Sequence, residues 1–193
     1  MPFSIQYFMI ECFLEDNEAM LSGDPDQYDE SIDWYAGERF EKPPKLPVRL
    51  IIESGEAGSG IIPEMSDVPI PVMTKHLAKT LSLAGISNID FYDAVIYDEE
   101  SGVTHTTHFA YNIVGVIAAA NLEKTKFYAE TSDRMISADI DSLSIDPTKT
   151  RNALMFRLAE SVNGIVIHES VKNAIEAAGI NTLTFIPPEE WVG

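Results

Sequence analysis

The chain has 193 residues, the usual size of one domain or two small ones, and 45% of them are hydrophobic, so it can bury a core. Asp and Glu number 31 against 13 Lys and Arg, which gives a formal net charge of −18. This charge disfavours binding to nucleic acids or anionic membranes, because contacts with phosphate groups need Lys and Arg.

The start of the chain is apolar, but it carries Glu11 and lacks a basic region, so residues 3–14 predict a buried strand and not a signal peptide. The chain contains no run of 18 apolar residues, so no transmembrane helix is predicted. Cys12 is the single cysteine, so no internal disulfide can form. Together with the lack of an export signal, this favours a reducing cytoplasmic location.

Residues 15–47 are rich in acidic residues, glycine and proline and predict a loop pinned by Trp34, Tyr35 and Phe40. Ten carboxylates and no Lys or Arg precede Arg39. Such a segment attracts a cationic partner, although an acidic surface can also serve only for solubility or reflect a salty habitat. The candidate partner-binding residues are Asp24, Asp26, Asp29, Glu30, Asp33 and Trp34, and Asp98, Glu99 and Glu100 in a predicted turn.

For Trp34 two roles are open. Tryptophan often anchors protein interfaces, which makes Trp34 a candidate hot spot. The alternative is that its ring packs on the core and holds the loop in place.

Two stretches, residues 72–93 and 166–187, align without a gap at an offset of 94 residues. Each predicts a short amphipathic helix, a glycine stop and a strand of alternating polarity. Thr74 is a suitable N-cap for the first helix, whereas His168 stands at the same place in the second copy and is a poorer cap. The match indicates either a duplication or a chance repeat of a common unit.

The remaining strands are predicted from apolar patterns. The longest covers residues 103–118 and is apolar on both faces, so we expect it at the centre of a sheet, in an antiparallel hairpin with the strand before it. The other predicted strands are residues 48–53, 126–129, 134–137, 154–158 and 164–167.

Strands dominate and do not alternate regularly with helices, which predicts an α+β fold with a mostly antiparallel sheet and few short helices. We expect a single domain over residues 1–193. Residues 1–66 would be its acidic, loop-rich N-terminal part, and residues 67–193 its core with both helix–glycine–strand units.

The chain has no nucleophile elbow, zinc-protease motif, P-loop or dinucleotide-binding motif. His105 and His108 form an HxxH pair, but three residues apart on one strand their rings would point to opposite faces and could not share a metal. We therefore expect no catalytic residues, no metal site and no cofactor.

Several short motifs follow one another in a characteristic order. They are Trp34-x-x-Gly37, VRLIIE followed by IIPEMSDVPIPV, the helix and strand MTKHLAKTLSLAGISNIDFY, Phe156-Arg157-Leu158, and a second unit that ends in Phe185-Ile186-Pro187. This order, over residues 34–188, resembles the large bacterial family of immunity proteins from polymorphic toxin systems that was first defined on a myxobacterial member. The resemblance implies a cytoplasmic α+β protein that binds and neutralises a cognate toxin domain without catalysis.

The acidic surface leads us to expect a basic toxin, for example a nuclease. Two other functions stay open from the residues alone. One is an adaptor or structural interaction module, which includes a homodimer. The other is a small hydrolase that uses dispersed carboxylates.

Overall fold

The computed structural model describes residues 6–11, 18–27, 29–53, 61–128 and 139–193. These residues form fourteen strands and two α-helices. The elements are β1 (Tyr7–Glu11), β2 (Ser22–Gly23), β3 (Val48–Ile52), β4 (Met65–Ser66), β5 (Val72–Thr74), α1 (Lys75–Leu83), β6 (Ile89–Asp98), β7 (Thr104–His105), β8 (His108–Ile113), β9 (Val116–Ile117), β10 (Lys126–Phe127), β11 (Ile140–Ser142), β12 (Met155–Leu158), β13 (Ile165–His168), α2 (Glu169–Ala177) and β14 (Thr184–Ile186).

The strands form two main sheets. The first has the order β2-β3-β6-β8-β5-β4, with β7 also paired to β6, and the second has the order β14-β1-β13-β12-β9. Only the β3–β6 and β9–β12 pairs within these described strands are parallel. The prediction of an α+β fold with mostly antiparallel strands and few helices is confirmed.

The long strand predicted at residues 103–118 is divided into β7, β8 and β9. Its central part, β8, lies between β6 and β5 and pairs antiparallel with β6, so the predicted central position and hairpin are confirmed. Its predicted extent is wrong, because Gly115 turns the chain with a φ of 121° and β9 leaves for the second sheet.

The two repeated segments share one topology. In the first, β5 and β6 flank β8, and both pair antiparallel with it. In the second, β13 and β14 flank β1 in the same manner. Each unit is thus a strand–helix–strand with a third strand inserted between its two parallel strands. The inserted strand is β8 in the first unit and β1 in the second.

The correspondence extends to the register of the inserted strands. The register pair Met73–Phe109 of the first unit corresponds to Ile167–Phe8 of the second. In the same way, Phe91–Tyr111 corresponds to Phe185–Ile10. Inserted strands from distant parts of the sequence therefore meet their neighbours at matching positions.

Both helices begin and end as their sequences predict. The Thr74 hydroxyl accepts a hydrogen bond from the Leu77 N–H at 3.0 Å. His168, although a less common cap, accepts one on Nδ1 from the N–H two residues later, at 3.1 Å. Gly85 and Gly179 follow the helices with φ of 94° and 80°, where a side chain would strain the backbone.

Three hydrophobic clusters fill the described part of the protein. The first lies where α1 and α2 pack against each other and against both sheets, and the second fills the other side of the second sheet. The third lies under the acidic segment and includes Trp34, with Tyr35 and Phe40 packed against it. These aromatic residues therefore pin the segment as predicted, while the single-domain organisation stays a prediction.

Two predictions fall on residues outside the described ranges. They are the placement of Cys12 in the buried strand predicted at residues 3–14 and the short strand at residues 134–137.

Candidate partner-binding surface

Three of the predicted carboxylates close local turns of the acidic segment. Asp24, Asp29 and Asp33 each accept a hydrogen bond on Oδ1 from the backbone N–H two residues later, at 2.9 Å. The Ser31 hydroxyl also donates to Asp29 at 2.7 Å, and these bonds hold the pKa of Asp29 below its usual range. The sequence pattern of acid, Gly and Pro thus reflects turn formation as well as charge.

Asp98 has the same role in the predicted acidic turn after β6. It is 8% exposed, and its carboxylate accepts hydrogen bonds from the Glu100 N–H at 2.9 Å and the Ser101 hydroxyl at 2.6 Å. The Ser101 hydroxyl is the main reason that the pKa of Asp98 lies below its usual range. Asp98 is therefore held within the turn, whereas Glu99 and Glu100 are exposed.

Asp26, Glu30 and Glu100 differ from these turn-closing residues. They are exposed, and no hydrogen bond or ion pair of their carboxylates to another described residue is recorded. Their charges point to solvent, so among the predicted residues they are the best suited to meet a partner.

Trp34 is 8% exposed and belongs to the third hydrophobic cluster. Its ring packs edge-on against Phe40, with centroids 5.0 Å apart, and against Tyr92, at 5.7 Å. This packing favours the second of its two predicted roles, a side chain that fastens the acidic segment to the sheet.

The structure does not gather the candidate residues into one patch. Asp24 lies beside Arg49 near the start of β3, 3.9 Å from its guanidinium. The turn that contains Asp98 lies at the other end, where Ile52 is the register partner of Asp98. The three-residue step along β3 from Arg49 to Ile52 corresponds to about 10 Å. Two acidic groups therefore flank the strand, and the part of the segment around Trp34 crosses one face of the sheet.

A buried ion pair next to the acidic segment was not predicted from the sequence. Arg157, on β12, is fully buried and donates to both carboxylate oxygens of Asp67, at 3.1 and 3.2 Å, and to the Val162 carbonyl at 3.0 Å. The Tyr111 hydroxyl also donates to Asp67, at 2.9 Å. Bidentate geometry of this kind makes an arginine–carboxylate pair both strong and directional.

Tyr35 brings the acidic segment to this pair. Its hydroxyl donates to the Asp67 carbonyl, and its ring lies 5.0 Å from the Arg157 guanidinium. Burial, with the nearby Asp67 charge, raises the pKa of Tyr35 to about 12, so the hydroxyl keeps its proton. An arginine inside the apolar run LMFRL could have signalled a buried cation, but sequence alone cannot choose its partner among 31 acidic residues.

Of the HxxH pair, His108 is a buried part of the fold. His108 is 3% exposed, its Nε2 donates to the Pro63 carbonyl at 3.0 Å, and burial lowers its pKa. The expectation of opposite faces is wrong, because the register of β7 against β6 is shifted by one residue relative to that of β8, which places His105 and His108 on the same face. Within the described ranges, no group of three or more His, Cys, Asp or Glu residues is arranged to hold a metal ion.

A cleft of about 390 Å³ lies beside the loop that follows α1. Its described lining is mostly apolar, with Ile86, Leu154 and Phe156, and Arg151 is its one ionisable side chain. Acid–base catalysis needs at least one titratable group of suitable pKa near the substrate, and this lining offers no carboxylate or histidine.

No helix in the described part of the chain has the length and apolar character needed to cross a membrane. No curated protein matches the chain with significant similarity. The sequence model of the immunity protein family Imm11, however, matches residues 13–190, nearly the whole chain. The predicted membership of an immunity protein family is thereby confirmed: the chain belongs to the immunity protein family Imm11.

Proposed function

We propose that this protein neutralises the toxin domain of a polymorphic toxin system by binding it in the cytoplasm, without catalysis. The observation that carries this proposal is the Imm11 match over residues 13–190. Two sheets joined by packed helices provide a rigid body, which is what an inhibitor needs to present a fixed surface.

The partner that fits best is a basic toxin domain. The net charge of −18 favours a cationic partner and speeds its diffusional encounter. The exposed carboxylates of Asp26, Glu30 and Glu100 are suited to this steering, because their substitution leaves the turn-closing hydrogen bonds of their neighbours intact.

The test uses the toxin domain encoded beside this gene in the producing genome. We expect the purified protein to bind that domain and to restore growth of cells that express it. The triple variant Asp26→Lys, Glu30→Lys and Glu100→Lys changes the net charge from −18 to −12. Its association rate at low salt should be at least ~10-fold lower, and the rate should depend less on salt.

A matched control separates the position of the charges from their number. The variant Glu123→Lys, Asp141→Lys and Glu190→Lys also has a net charge of −12, and its substituted residues are exposed and belong to no strand of the first sheet. It should retain most of the wild-type association rate. Equal rates for the wild type and both variants would rule out steering by these carboxylates, and failure of the wild type to bind would rule out the proposed function.

A further inference from the structure

The two faces of β3 and β6 have different surroundings. Residues that are paired in register point to the same side of a sheet. On one side, Leu50, Ile52 and Ile96 are buried in the third hydrophobic cluster with Trp34. The acidic segment therefore covers this side of the sheet.

The other side of the same strands presents a surface that we call the open face. It consists of Arg49, Ile51, Asp93, Val95 and Tyr97, and the register pairs Arg49 with Val95 and Ile51 with Tyr97. Tyr97 is 44% exposed, and Ile51 and Val95 are half-buried but belong to none of the three hydrophobic clusters. Of the described residues, none therefore buries this part of the sheet in a core.

The open face continues a covered part of the same sheet side. Phe91 and Phe109 lie on that side and pack against the first cluster, which contains Leu77 and Leu81 of α1. Helix α1 has only nine residues, about 14 Å in length, and β6 runs on beyond it. The open face is the end of the sheet that the helix is too short to cover.

The charges around the open face are mostly negative. Its one cation, Arg49, lies 3.9 Å from the Asp24 carboxylate, and Asp93 is exposed. The turn with Asp98, Glu99 and Glu100 follows Tyr97 directly. An aromatic and aliphatic centre with a charged rim is the usual composition of a specific protein interface.

We propose that the open face is where this protein binds its toxin domain, and that the toxin contributes an apolar patch surrounded by Lys and Arg. This inference rests on the proposed function. The choice of a basic partner follows from the acidic rim, because two copies of this chain would bring like charges together across a shared open face. Tyr97 is the expected anchor, since it is aromatic, exposed and central in the register of β3, β6 and β7.

The test compares two tyrosines that are both exposed. Tyr97→Arg puts a bulky cation into the centre of the open face, whereas Tyr128→Arg makes the same change at a residue that is 63% exposed and follows β10. We expect Tyr97→Arg to weaken binding of the neighbouring gene's toxin domain at least ~30-fold, and Tyr128→Arg to change it less than ~3-fold. Tyr97→Ala, which removes the ring without adding a charge, is the second variant and should weaken binding ~10-fold or more.

Each outcome decides a different question. Urea unfolding midpoints close to that of the wild type show that a loss of binding does not come from unfolding. If the wild type binds and both Tyr97 variants bind equally well, the open face is not the binding site, although the proposed function stands. If the wild type does not bind the toxin domain, both proposals fall. If the free protein sediments as a dimer that Tyr97→Arg dissociates, the face belongs to a second copy and the inference is overturned.

Discussion

The ion pair of Asp67 and Arg157 joins equivalent points of the two repeated units. Asp67 stands two residues after Met65 of β4, which is the register partner of Met73 on β5. Arg157 stands two residues after Met155 of β12, which is the register partner of Ile167 on β13. Met73 and Ile167 are equivalent residues of the two repeated segments. The two residues thus occupy matching positions in the two halves, one as anion and one as cation. Burial would by itself lower the pKa of Arg157, but the Asp67 carboxylate outweighs it and raises the pKa.

We predict that Asp67→Ala lowers the free energy of unfolding by about 3–5 kcal/mol, because it leaves the fully buried Arg157 without its counter-ion. Urea denaturation at pH 7 measures this change. The double variant Asp67→Ala with Arg157→Met should recover most of the loss, since it removes the buried charge as well. Asp141→Ala, at an exposed carboxylate, is the control and should change stability by less than about 0.5 kcal/mol. A loss below about 1 kcal/mol for Asp67→Ala would contradict this account.

At the scale of elements, the parts predicted correctly are those whose pattern is local. The helix, its cap at Thr74 and the glycine stops at Gly85 and Gly179 depend on neighbours within a few residues. The insertion of β1 into the second unit could not be predicted, because apolar alternation marks a strand but does not identify its partner. The turn closed by Asp98 is also local, because its carboxylate accepts from the N–H two residues later, but from the sequence we expected Asp98 to bind the partner.

The Thr74 cap allows a direct test of these local rules. Thr74→Ala should lower the free energy of unfolding by about 1 kcal/mol, since the Leu77 N–H loses its acceptor. Thr74→Ser keeps the hydroxyl and should stay within a few tenths of a kcal/mol of the wild type. Urea unfolding of the three proteins measures both differences. An equal loss for Ala and Ser would show that the methyl group, and not the cap, carries the contribution.

At the scale of the whole molecule, one charge distribution affects folding and binding in opposite ways. Acidic residues outnumber Lys and Arg by 31 to 13. The excess carboxylates repel one another in the compact state. The same field attracts a basic partner over distances of a Debye length, about 30 Å at 0.01 M salt and 10 Å at 0.1 M. Salt should therefore stabilise the free protein while it slows association with the toxin.

We predict that the Tm of the free protein rises as NaCl increases from about 0.01 to 0.5 M, because screening weakens repulsion among the carboxylates. If screening contributes about 1 kcal/mol, the rise is about 2–4 °C for a chain of this size. The variant with Lys at positions 26, 30 and 100 should show a smaller rise, since its net charge is −12. Thermal scans at matched pH measure both curves. A Tm that is flat or falls with salt would show that local pairs such as Arg49–Asp24, and not the net charge, dominate the electrostatics of the fold.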